Sequence, residues 1–60
     1  MQIDSVVFLA HVLRVASTYH NWDHAERMLR HGIVDAEFLE TALWFLTEVR
    51  IRISSTAALQ

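Results

Sequence analysis

The chain has 60 residues, a formal net charge of −2 and no cysteine or proline. That length allows one domain, 1–60, and a domain so small buries only about 60% of the surface its unfolded form exposes. Disulfide staples and thiolate metal sites are excluded, which fits a reducing compartment, and five Arg without Lys against seven acidic residues do not make the basic face of a nucleic-acid binder.

Asp4 stands where a secretory leader would be basic, and His11 and Arg14 interrupt the apolar run that follows, so no signal peptide is expected. No segment reaches the roughly 20 apolar residues that span a bilayer. Met1 opens the chain, as expected of a complete small protein. Ordering costs about 1.5 kcal/mol per residue and nearly cancels the hydrophobic gain in so short a chain, so a partner is expected to supply what the core does not.

The first helix is predicted over 5–18. Asp4 is placed to cap it by accepting from an unpaired backbone N–H, with Ile3 and Phe8 at the staple positions around the cap. At about 100° per residue, Phe8, Leu9, Val12, Leu13 and Ala16 fall on a broad apolar face with Val6 and Val15. The polar arc of His11, Arg14, Ser17 and Thr18 is narrow, and Val7 interrupts it.

The second helix is predicted over 22–31, capped by Asn21 and ended by Gly32 in a left-handed conformation. Trp22, Ala25, Met28 and Leu29 form one face. Asp23, Glu26, Arg27, Arg30 and His31 form the other, with Asp23–Arg27 and Glu26–Arg30 as favourable i,i+4 pairs.

The third helix is predicted over 36–53, with Asp35 as its cap and Val34 and Leu39 as its staple. The tail 54–60 either extends this helix or frays. Phe38, Leu39, Ala42, Leu43, Phe45, Leu46, Val49 and Ile53 make the core face. Trp44 and Ile51 project from the opposite side among Glu40, Thr47 and Glu48. Loops of three or four residues make consecutive helices antiparallel. Phe8-Leu9, Val12-Leu13 and Ala16 are echoed thirty residues later by Phe38-Leu39, Ala42-Leu43 and Leu46, a period of the order seen in helical repeats. The expected fold is therefore all-α, an antiparallel hairpin plus a helix, around a core of Phe8, Leu9, Val12, Leu13, Trp22, Ala25, Leu29, Leu39, Leu43 and Leu46.

Four chemistries are conceivable for these residues. His20 and His24, at i,i+4, place two imidazoles within reach of one metal if a second copy completes the site; the simpler reading is a solvent-facing polar stripe, and no metal or cofactor is assigned. Asp35, Glu37 and Glu40 read as helix-start charges, and without a nucleophile elbow or phosphate loop no enzyme activity is expected. A helix-turn-helix around Gly32 would drive those same carboxylates into phosphates, which disfavours a DNA-binding regulator. The surplus apolar positions remain. Trp44 and Ile51 lie two turns apart on a polar side, where Trp is enriched at interface hot spots; alternatively the first helix covers them and makes them core. The partner-binding set is Val7, Trp44 and Ile51 with Glu40, Thr47 and Glu48 as rim, taking an amphipathic helix laid along the first and third helices. The alternatives are a small DNA-binding regulator and a homo-oligomeric bundle with a histidine metal site.

Leu9, Val12 and Ala16 in the first helix, with Trp22, Ala25, Leu29 and Gly32 at spacings of three, four and three in the second, resemble a tetratricopeptide hairpin. A further helix follows, so the resemblance covers about 9–53. The sequence departs from that pattern at Leu13, where the repeat has a small residue, and in lacking a proline after the second helix. Within that superfamily, the small size, the apolar excess and the run Leu43-Trp44-Phe45-Leu46 resemble the short tetratricopeptide-like chaperones of bacterial type III secretion. The resemblance implies a cytoplasmic chaperone that acts with a small partner to mask the amphipathic C-terminal helix of an aggregation-prone needle subunit.

Overall fold

The computed structural model describes residues 3–59, with side-chain surroundings described for 4–56. Three helices account for nearly all of it: α1 Ile3–Tyr19, α2 Trp22–Gly32 and α3 Ala36–Leu59. No strand occurs among the described residues. The order and placement match the hydrophobic periodicity, and α3 runs on through 54–59 beyond its predicted end. The links are shorter than expected at the first turn, with His20 and Asn21 alone joining α1 to α2.

Local chemistry explains most of the boundaries. Asn21 accepts from the His24 N–H at 3.3 Å through Oδ1, and Asp35 accepts from the Glu37 N–H at 3.0 Å, so each satisfies one of the orphan donors at a helix start. Asp4 does not cap α1. The helix is already formed at Ile3, and Asp4 sits in its first turn, where its charge acts on the positive end of the helix dipole. The staple partner expected at Ile3 lies outside the described side chains.

The termination at Gly32 also differs from expectation. No glycine has a positive φ, whereas His20 does, at 55°. The His20 N–H still donates to the Ala16 carbonyl at 2.7 Å, so α1 ends in a left-handed cap built on a histidine, a residue type several-fold enriched in that conformation. After Gly32 the chain leaves through Ile33 in extended conformation, its N–H donating to the Leu29 carbonyl at 2.9 Å. Gly32 is needed for a different reason. A Cβ there would run into the ring of Phe8, whose Cδ2 would be 3.3 Å away and whose outer edge would be closer still.

The core holds Leu9, Val12, Ala16, Ala25, Leu29, Ile33, Ala42 and Leu46, with no polar residue buried among them. Each helix contributes an alanine at 1% exposure or less, Ala16, Ala25 and Ala42, so small side chains mark where the helices approach one another. Phe8, Leu13, Trp22, Leu39 and Leu43 pack against this cluster and are half-buried, forming its rim. Ile33 replaces Val34 as the apolar residue of the second loop. Val34 is 97% exposed and makes no staple with Leu39, because the extended backbone at Ile33 turns that side chain inward and its neighbour outward.

The molecule is elongated, 39 × 18 × 18 Å with a radius of gyration of 11.8 Å, where a compact chain of this length has about 10 Å. Its surface is 4781 Å², against about 4,000 Å² for a folded monomer of the same mass. The length of α3 accounts for this. Its 24 residues span about 36 Å, while the 17 of α1 span about 25 Å. Among the described side chains of α3, Leu46 is the last that is buried. Val49 and Ile53 are half-buried, and 54–56 are exposed.

Candidate functional site

Among the described residues, the exposed large apolar ones are Val6, Val7, Tyr19, Val34, Trp44, Phe45 and Ile51. Most of their exposure follows from helix geometry. On α1 the buried stripe is Leu9, Val12 and Ala16, and Val7, at 60% exposure, lies about 180° round the helix from its centre. On α3 the buried positions are Ala42 and Leu46, and Trp44, at 57% exposure, again lies about 180° away. Ile51 falls on the same outer line, two turns further on, and is exposed as well. The first helix therefore does not cover the Trp44–Ile51 strip.

These positions also separate the residues predicted to act together. Trp44, Ile51, Glu40, Thr47 and Glu48 share the outer side of α3, with Glu48 half-buried and the others exposed. Val7 is on the outward side of a different helix. A rod laid between α1 and α3 meets the flanks of those helices, not their outer lines, so Val7 does not join the α3 strip. Val6, 42% exposed, is on the α1 flank away from Phe8 and hence away from the α2 contact at Gly32.

One aromatic was misplaced by periodicity alone. Helical periodicity puts Phe45 on the core face, but it is 42% exposed. Its ring stands edge-on to Trp44, with centroids 5.2 Å apart and planes at 74°, a favourable aromatic geometry. Phe45 lies about 80° from the centre of the buried stripe, close enough to the boundary for its ring to swing outward.

Two open clefts flank this end of α3. One, of about 550 Å³, is lined by Glu37, Glu40, Thr41 and Trp44. The other, of about 820 Å³, lies where Ser5, Gly32, Val34 and Asp35 meet Glu37, Phe38 and Thr41. Glu37 and Thr41 line both, so the two are neighbours. The Thr41 hydroxyl donates to the Glu37 carbonyl at 3.2 Å and that of Thr47 to the Leu43 carbonyl at 3.0 Å. Both hydroxyls are thereby tied to their own helix.

The histidines lie elsewhere. His11, His20, His24 and His31 are all exposed. The His20 ring lies 6.1 Å from that of Trp22, tilted by 35°. Among the described residues no three His, Cys, Asp or Glu side chains come together. Glu26 and Arg30 form an ion pair at 3.0 Å. The other i,i+4 pair expected on that face, Asp23–Arg27, does not form, and each side chain is left to solvent.

The chain matches no protein-family model, no curated protein and no solved structure. No described helix is long and apolar enough to cross a membrane. The site rests on its own geometry, an apolar line on the outside of α3 with carboxylates along both edges.

Proposed function

We propose that the chain is a protein-binding helical module, a small chaperone or co-chaperone that masks an amphipathic helix of a partner subunit and catalyses no reaction. The observation that carries this reading is the outward placement of Trp44, Phe45 and Ile51 on a helix whose opposite face already holds its share of the core. Such a strip beside a core of eight buried apolar residues among those described is more than scattered surface hydrophobicity requires. The resemblance of 9–53 to short tetratricopeptide-like chaperones supports the finer reading, in which the partner is a secretion needle subunit held in the cytoplasm.

Capture of partners from the native organism by wild-type chain and by Trp44→Ala tests it. A helical subunit retained by the wild type and lost by the variant, with unchanged circular dichroism, is the expected result. Equal recovery by both overturns it. With a captured partner in hand, Trp44→Ala is expected to speed dissociation and Glu48→Lys to slow association, since rim charges act mainly on the on-rate.

A further inference from the structure

Within that protein-binding reading, we infer that the outer face of α3 alone receives the partner, and that the partner is a basic amphipathic helix which seats an arginine or lysine against Trp44.

The charge pattern selects this occupant. Within about 60° of Trp44 around the helix stand Glu37, Glu40 and Glu48, and no cation. Arg50 and Arg52 lie about 100° or more round from Ile51, one on each flank. The cleft of about 550 Å³ joins Glu37 and Glu40 to the exposed Trp44 ring. An aromatic face beside two carboxylates is the combination that attracts a guanidinium or ammonium group, through the ring quadrupole and the charges together. Beyond it, Ile51 offers an apolar anchor at i,i+7, the repeat at which a docked helix presents its own apolar line.

The same pattern disfavours a second copy of this chain. Pairing two α3 outer faces would bring six carboxylates together. The outward side of α1 offers one sure cation, Arg14, offset by Asp4, and the whole chain is at −2.

The test uses the full chain and three labelled synthetic helices with leucines at i, i+3, i+4 and i+7, flanked by arginine, glutamine or glutamate. Fluorescence anisotropy is expected to show the arginine helix binding about tenfold or more tighter than the glutamine one. Its affinity is expected to fall steeply as salt rises from about 0.05 M to 0.5 M. Trp44→Ala and the double variant Glu37→Gln/Glu40→Gln are each expected to weaken it about tenfold, while Val7→Ala, on the other helix, leaves it unchanged. Circular dichroism confirms that each variant is folded. Equal binding of the arginine and glutamine helices overturns this inference and leaves the protein-binding reading standing. Failure of every helix to bind removes both. A dimer in sedimentation that Trp44→Ala abolishes overturns the inference in favour of a second copy.

Discussion

The ring of Phe8 lies on Gly32, so the first and second helices touch where one of them has no side chain at all. The glycine therefore serves tertiary packing, not the turn that follows it. Two effects oppose each other there. Alanine in place of Gly32 gains up to about 1 kcal/mol of helix propensity, but its methyl forces the Phe8 ring aside at about 1–3 kcal/mol. Gly32→Ala is expected to lower stability by about 1 kcal/mol in the wild type. In a Phe8→Ala background the sign reverses and the same change stabilises. Thermal denaturation of the four-protein cycle measures the coupling directly.

His20 presents the opposite case, a side chain held at a φ of 55°, where a Cβ is strained by about 1–2 kcal/mol. Replacement by glycine relieves that strain, partly offset by the entropy glycine adds to the unfolded chain. His20→Gly is expected to stabilise by about 0.5–1 kcal/mol and to raise the melting temperature by a few degrees. A fall in melting temperature would show that the contact with Trp22 outweighs the strain.

Core and strip are separable by truncation. Leu29 is fully buried, and Leu29→Ala is expected to cost about 2–5 kcal/mol, enough to unfold a domain of this size. Trp44 is 57% exposed, and Trp44→Ala is expected to stay within about 1 kcal/mol of wild type. Urea denaturation followed by circular dichroism checks both. A Trp44→Ala protein as unstable as Leu29→Ala would place the indole in the core.

The two side-chain caps give a fourth measurement. Asn21→Ala and Asp35→Ala each leave a helix-start N–H without its acceptor, and each is expected to cost about 1 kcal/mol. The sites are on different helix starts, so the double variant is expected to be close to additive. Asp4→Ala, within the first turn of α1 and not at its cap, is expected to cost less than either.

The helices, both side-chain caps and the centre of the core were legible from residue chemistry. Leu9, Val12, Ala25, Leu29 and Leu46 repeat at helical spacing, and Asn21 and Asp35 stand next to the residues they cap. What was not legible depends on long-range geometry. Nothing near Gly32 in sequence announces Phe8. Nothing in the His20-Asn21 link says which residue takes the left-handed conformation. Ile33 and Val34 are both β-branched and apolar, and only the extended backbone after α2 decides which one turns inward. For the site, periodicity found Trp44 and Ile51 on the outside of α3. It also grouped Val7 with them and kept Phe45 in the core, because a wheel drawn for one helix carries no information about where the others stand.

The unequal lengths of the helices give this small protein two kinds of stability. Amides around Val12, Leu29 and Ala42 sit where three helices meet and are expected to exchange with deuterium only when the whole bundle opens. At 54–56 the side chains are exposed, so the helix's own hydrogen bonds hold the backbone there and can open while the bundle stays closed. Protection factors are therefore expected to form a plateau over the bundle and to fall along 54–56, one chain reporting cooperative unfolding and local opening side by side.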